Sequence, residues 1–273
     1  VPDDPRTLLA ALEQRARKRF GQHFLTDHGV VERIVRAARV APGDRVVEIG
    51  PGLGILTAGL LEAGADLTAV ELDRDLAAFL RERFPGLKLV EGDAERIDWP
   101  TSCPGSGWKV VANLPYNVGT HVTMALVRLP ATFASVTVML QREVVDRFCA
   151  NPGTKAYGAL SVEVQARAEA SVHLHVPPDR FHPRPKVDSA VVRLDLRPAP
   201  EAAGVALDQF DTVVRAAFAY RRKTLLNSLT ARFGRDESAR ALGVAGIEPT
   251  LRAERLDLAA FGALARAFSA LAR

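Results

Sequence analysis

Apolar and polar positions along this chain follow two different periods, and the change between them divides it. Apolar positions recurring every three to four residues predict a helix over residues 27–38. Asp27 is its expected cap, because a short acceptor side chain takes up backbone N–H groups that the first helical turn leaves free. A β-branched run over 45–49 follows the turn Pro42-Gly43-Asp44 and passes through a glycine-rich loop into a helix ending near residue 63. The alternation continues as strand 67–70, helix 76–84, strands 87–90 and 109–112, helix 119–128 and strand 135–140. Strands that alternate with helices predict a mostly parallel, doubly wound sheet. An amphipathic stretch over 157–168 then leads to two β-branched segments, 171–176 and 189–196, expected to close the sheet as antiparallel strands.

Beyond the loop Arg197-Pro198-Ala199-Pro200 only helical periods remain, over 208–219, 224–232, 237–242 and 258–271. The expected organisation is therefore an α/β domain over residues 1–200 and a small all-α domain over 201–273, which a chain of 273 residues can accommodate.

Charge is unevenly spread along this division. Residues 1–20 carry a net +2, residues 21–179 a net −4 and residues 180–273 a net +6. A basic arm around Arg15–Arg19 and a basic C-terminal third fit a polyanionic partner; charge alone equally fits solvated basic helices. No apolar run approaches the roughly 20 residues of a membrane span, and the first 19 residues carry charges where a signal peptide has its apolar core. A soluble, cytoplasmic protein with no membrane association is expected. Cys103 and Cys149 stand far apart without Cys or His companions, so neither a zinc site nor a disulfide framework is expected, and no metal is.

The chemistry concentrates at the ends of the expected strands. Glu48-Ile49-Gly50-Pro51-Gly52-Leu53-Gly54 leaves the first strand of the sheet, where glycines such as Gly50 and Gly52 let the backbone approach a nucleotide-type cofactor. Glu71, at the end of the next strand, is placed to accept two ribose hydroxyl hydrogen bonds, with Leu72 beside it. Pro51 and the Gly-x-Gly-x-Gly spacing argue against a dinucleotide, whose fingerprint sets its third glycine one residue later. Gly92-Asp93-Ala94 adds a carboxylate suited to the exocyclic amine of an adenine ring; a turn or cap aspartate is the plainer reading.

Asn113-Leu114-Pro115-Tyr116 decides the reaction class. It resembles the Asn/Asp-Pro-Pro-Tyr/Phe signature of enzymes that methylate planar amino nitrogens. An adenine amine is a poor nucleophile because its lone pair is delocalised into the ring. A site helps by accepting its hydrogens, for which the Asn113 side-chain oxygen and the Leu114 carbonyl are the expected acceptors, with Pro115 stiffening the turn. Tyr116 is expected to stack on an extruded base.

These motifs are joined by Lys18-Arg19-Phe20-Gly21-Gln22-His23-Phe24-Leu25, Asn117, Gln141-Arg142-Glu143-Val144 and Phe181-His182-Pro183-Arg184-Pro185-Lys186-Val187-Asp188-Ser189. Together they closely resemble the KsgA family of ribosomal RNA adenine dimethyltransferases over nearly the whole chain after the first fifteen or so residues. The resemblance implies a Rossmann-like methyltransferase domain and S-adenosylmethionine as cofactor, lined by His23, Leu25, Gly50, Gly52, Glu71, Leu72, Asp93, Ala94 and Asn113. It implies as substrate two adjacent adenosines in the 3′-terminal hairpin of small-subunit rRNA, each receiving two methyl groups. Phe181 resembles a second aromatic contact to the target base, and the helical C-terminal domain a means of docking on the small ribosomal subunit. Arg221, Arg222 and Lys223, which follow Tyr220 and open a helix, are suited to phosphate contacts.

Two departures stand out. The family commonly has asparagine where this chain has His23, an imidazole that can hydrogen-bond the cofactor and make binding pH-dependent. Val118-Gly119-Thr120 replaces a common Ile-Ser-Thr/Ser, a glycine expected to loosen the loop behind the target base. Three other readings are weighed: an adenine methyltransferase of large-subunit rRNA, which shares the catalytic motif but usually lacks the segment 181–189; a non-catalytic ribosome assembly factor; and an NAD-dependent oxidoreductase, for which no acid/base residue is found. Nothing requires more than a monomer.

Overall fold

The structure is a computed structural model that describes residues 23–198 and 204–271. The basic cluster Arg15–Arg19 and the segment Phe20-Gly21-Gln22 lie outside the described residues. The described chain falls into two compact units. One holds the residues up to Val145 together with Ser171–Leu196; the other holds Asp146–Ala170 and the residues from Arg197 onward.

The first unit is built on a mixed sheet. Its strands are β2 (Arg45–Ile49), β3 (Asp66–Glu71), β4 (Lys88–Glu91), β5 (Trp108–Asn113), β6 (Phe133–Gln141), β7 (Ala168–Val176, which belongs to this unit from Ser171 on) and β9 (Ser189–Leu196), in the spatial order β4-β3-β2-β5-β6-β9-β7. Five neighbouring strands run parallel, and β9 lies antiparallel on β6, pairing Val138 with Val192. Val46, Val47, Val110 and Val111 are fully buried, as expected of strands covered on both faces. The helix His28–Ala37 begins as its sequence predicts, with the Asp27 carboxylate accepting from Val30 N at 3.0 Å. Expected strand and helix bounds agree with the structure to within a few residues.

The carboxyl ends of β2, β3, β4 and β5 meet at one edge of this sheet. The chain order reverses at β2, which β3 flanks on one side and β5 on the other. A crevice opens outside the strand ends at such a switch point, and ligands of doubly wound sheets bind there.

Two short strands and two helices escape the hydrophobic pattern, besides the 3-10 turns Pro178–Arg180 and Ala253–Arg255. The strands β1 (Phe24–Leu25) and β8 (Phe181–His182) form a separate two-stranded antiparallel clasp that pairs Leu25 with Phe181. The others are the one-turn helix Trp99–Ser102 and the helix Arg142–Phe148. Two-residue strands and a single turn are too short to show a period, and the seven residues of Arg142–Phe148 span only about two turns.

The second unit is helical, with Leu207–Phe218, Leu225–Phe233, Arg235–Ala245 and Leu258–Leu271 as its main elements. The expected boundary at residue 200 therefore needs correction, because residues 146–170 belong to the helical unit. Tyr157, Val162 and Ala166 share its core with Phe210, Leu229 and Phe261, and the Tyr157 hydroxyl donates to the Leu256 carbonyl at 2.8 Å. Buried Arg167 donates to Asp211 at 2.9 Å, and Glu163 receives two hydrogen bonds from Arg215. These partners lie 44 to 99 residues apart in the chain, beyond the reach of a local pattern.

Candidate active site

A cavity of about 210 Å³ occupies the crevice at the strand ends, far more than the ~10–15 Å³ that admits one water. Gly50 and Gly52 line its glycine loop, with φ of +68° and +58° that side chains rarely tolerate. A Cβ on Gly50 would stand in open space, whereas one on Gly52 would meet the Phe24 ring at 3.0 Å. Gly50 thus keeps the space in front of the loop clear, and Gly52 lets the ring of the clasp strand close over it.

Glu71 ends β3 and is 3 % exposed. Its two carboxylate oxygens each accept one backbone N–H, from Asp73 at 2.9 Å and from Gly52 at 3.1 Å. Burial holds its pKa above the ordinary value, against the pull of these two bonds. A carboxylate offers about four acceptor sites, so both oxygens keep capacity for hydroxyl donors. Leu72 beside it is 54 % exposed, an apolar surface at the cavity rim suited to the face of a purine. Asp93 and Ala94 follow β4 on the same wall, where Asp93 Oδ1 accepts from Glu95 N. An acceptor pair, an apolar platform and a second carboxylate fit the ribose and adenine of a nucleoside.

Deeper in, Glu48 is 1 % exposed, and burial pushes its carboxyl up to about 8. Thr57 donates to it at 2.7 Å, and the nearby Glu71 charge adds to the upward shift.

Asn113, the last residue of β5, lines the cavity with Leu114, Pro115 and Tyr116, which follow it. The turn closes through the Pro115 carbonyl, which accepts from Val118 N and Gly119 N, and the buried Leu114 side chain anchors it. Asn113 Nδ2 donates to the His23 carbonyl at 3.3 Å. A carbonyl can only accept, so this contact assigns the nitrogen end of the carboxamide and leaves the oxygen as the acceptor for a ligand. The Tyr116 hydroxyl lies 2.6 Å from Ser189 Oγ, and burial raises its pKa against that hydrogen bond. Its ring faces the His23 imidazole, with centroids 5.6 Å apart.

The clasp brings the remaining predicted residues to the same place. His23, Leu25 and Phe181 line the cavity, although Leu25 and Phe181 are nearly buried and give it little more than an edge. His23 Nδ1 donates to the Pro183 carbonyl at 2.6 Å, which spends one ring nitrogen on the protein and leaves only Nε2 for a ligand.

The expectation at Gly119 is corrected. It is buried at the start of the helix Gly119–Leu126, where a Cβ would collide with the Leu140 side chain and meet Leu114 at 3.3 Å. Glycine there allows close packing of the turn and does not loosen it. Arg221, Arg222 and Lys223 are exposed between two helices of the second unit, and the Arg221 guanidinium reaches the Lys155 carbonyl. The residues missed as individual participants are Phe24, Thr57 and Ser189, whose parts depend on contacts with Gly52, Glu48 and Tyr116 that only the fold makes. Among the described residues no group of three or more His, Cys, Asp or Glu side chains could hold a metal ion, and no helix is long and apolar enough to cross a membrane.

Comparison with known proteins agrees with this geometry. The family model for ribosomal RNA adenine dimethylase matches residues 13–267. The chain belongs to the ribosomal RNA adenine dimethylase family. Family membership makes it a methyltransferase of ribosomal RNA that uses S-adenosylmethionine. Among its relatives, ribosomal RNA small subunit methyltransferase A of Methylococcus capsulatus is 49 % identical over 253 residues, 92 % of this chain and 96 % of that protein. The protein of the same name from Syntrophotalea carbinolica is 45 % identical over 257 residues, 93 % of this chain and 97 % of that one. Among solved structures of similar fold, a dimethyladenosine transferase from Plasmodium falciparum has a TM-score of 0.74 at 25 % identity, covering 89 % of this chain and 96 % of that one. The 23S rRNA methyltransferase ErmE has a TM-score of 0.70 at 26 % identity, covering 90 % and 99 %. The dimethylase fold thus serves relatives named for either ribosomal subunit.

Proposed function

We propose that this dimethylase transfers methyl groups to the exocyclic amines of two adjacent adenosines in the 3′-terminal hairpin of small-subunit rRNA. The observation that carries this reading is the Asn113 carboxamide, whose nitrogen is held by the His23 carbonyl so that its oxygen is left for an amine hydrogen. The small subunit is favoured over the large by the names of relatives at 49 % and 45 % identity, against 26 % for ErmE.

In this reading S-adenosylmethionine supplies a methyl group on a sulfonium, which leaves readily, so no strong general base is needed. Glu71 holds the ribose hydroxyls of the cofactor, Leu72 and Asp93 its adenine, and the backbone at Gly50 and Gly52 gives it room. His23, Leu25 and Ala94 complete that wall. Asn113 Oδ1 and the Leu114 carbonyl accept the amine hydrogens and draw the nitrogen lone pair out of conjugation, while Pro115 keeps the two acceptors in one turn. Tyr116 stacks on the extruded base and Phe181 borders it. Alignment of amine and methyl carbon is the main rate term, with exclusion of water second. The helical C-terminal residues dock on the ribosomal subunit, with Arg221, Arg222 and Lys223 meeting phosphates. The protein acts in the cytoplasm on a subunit assembly intermediate, as a monomer.

Incubating the protein and S-adenosylmethionine with small subunits that lack the modification, then digesting the rRNA for mass spectrometry, tests the reading. Dimethyladenosine at two adjacent positions of the 3′-terminal hairpin is expected. Its absence there, with cofactor binding intact, would overturn it.

A further inference from the structure

The segment between the cavity wall and the last sheet strand, residues 182–188, is exposed yet held at both ends. Leu25 pairs with Phe181 and His23 Nδ1 donates to the Pro183 carbonyl at one end. At the other, Arg142 N donates to the Asp188 carbonyl at 2.9 Å, and Ser189 Oγ meets the Tyr116 hydroxyl at 2.6 Å. Two prolines, Pro183 and Pro185, restrict the backbone between these anchors. The loop is therefore fixed to the residues that face the cavity, His23 and Tyr116.

Along it only Pro185 is buried, and Arg184 and Lys186, which flank it, are both exposed. This sets two exposed cations two residues apart on a proline-restricted loop. Neither makes a hydrogen bond or ion pair among the described residues. Arg180, a cation of the adjoining clasp, is by contrast tied to Asp27 at 2.6 Å and serves the fold. Exposed cations that the fold does not use, carried by a rigid loop beside the cavity, suit a ligand with regularly spaced negative charge.

We propose that Arg184 and Lys186 clamp phosphates of the RNA strand next to the adenosine that enters the cavity; this rests on the RNA-modifying function argued above. The contact carries no sequence information. It sets the register of the strand, so that the nucleotide in front of Tyr116 is the one extruded. Because the loop shares its anchors with His23 and Tyr116, a strand held on it is held relative to the reacting groups.

Binding of the intact chain to unmodified small ribosomal subunits, at constant Mg²⁺ and rising KCl, tests the clamp. The Arg184→Ala/Lys186→Ala variant should bind roughly tenfold more weakly near 0.1 M salt, and its slope of log affinity against log salt should be shallower by roughly 1.4 to 1.8, the share of two phosphates. Its affinity for S-adenosylmethionine and its unfolding midpoint should match the wild type. Arg184→Lys/Lys186→Arg, which keeps both charges, should restore the wild-type slope. An unchanged slope in the alanine variant, or a weakening shared by cofactor affinity, overturns the clamp while methylation by the wild type leaves the function standing. A wild type that neither binds nor methylates these subunits overturns the functional reading and the clamp with it.

Discussion

The Asn113 side-chain amide and the His23 backbone carbonyl, 90 residues apart in sequence, meet at 3.3 Å across the mouth of β5. Through this bond the strand that enters the sheet domain sets which end of the carboxamide faces the ligand. The same residue is tied by its ring to Pro183, so one short clasp controls both the acceptor and the loop beside it.

Asn113→Ala should lower kcat by about 10²-fold or more, the usual cost of losing one preorganised polar group at a reacting atom. Affinity for S-adenosylmethionine, followed by calorimetry, should change far less. Asn113→Asp should be similarly impaired, because an ionised carboxylate has no donor for the His23 carbonyl and is repelled by it. Wild-type turnover in either variant would remove Asn113 from the chemistry.

Ser189 and Tyr116 form a coupled pair, so their effects should not add. Tyr116→Phe and Ser189→Ala each break the 2.6 Å hydrogen bond and should each raise KM for the ribosomal subunit. The double variant should be little worse than the more damaged single one. Additive losses would show that Ser189 does not act through Tyr116.

The buried carboxyls of the cavity give two pH signatures. On the proposed reading ribose hydroxyls donate to ionised Glu71, whose pKa burial raises in the free protein. Cofactor affinity should therefore weaken as pH falls through that raised value, and Glu71→Gln should lose the dependence along with roughly 10- to 100-fold of affinity. Equal cofactor affinity in wild type and variant would refute the ribose assignment.

Glu48 affects stability with a definite sign. Its carboxyl is raised to about 8 in the folded protein from an ordinary value near 4.5. Below the ordinary value both states hold the proton and there is no penalty. Between the two values the folded state keeps a proton that the unfolded state releases, so stability falls as pH rises, and the loss levels off above the folded value. Urea unfolding should show Glu48→Gln gaining on the wild type from pH 5 to pH 8, by on the order of a few kcal/mol. Parallel pH profiles for the two proteins would contradict this.

In the helical unit, Arg167 and Asp211 are 0 % and 4 % exposed at their side chains. Asp211→Ala leaves the buried guanidinium without its carboxylate partner and should cost about 3–5 kcal/mol in unfolding free energy. A loss below 1 kcal/mol would mean that the site admits solvent.

The sequence by itself determined the parallel sheet, the helical C-terminal region and the main site motifs. Those features rest on local causes: β-branched runs, a 3.6-residue period, the Asp27 cap, and motifs whose consecutive residues line one cavity, as in Gly50 to Leu53 and Asn113 to Tyr116. Tertiary structure alone decided what depends on distant residues. It paired Phe24–Leu25 with Phe181–His182, turned the Asn113 amide with the His23 carbonyl, gave Tyr116 its serine, and moved residues 146–170 into the helical unit. A two-residue strand has no period, and a hydrogen bond across 73 or 90 positions leaves no local trace in the chain. Only folding, by burying Glu48 and Glu71 side by side, gave their carboxyl groups the raised proton affinities that the motif spacing could not express.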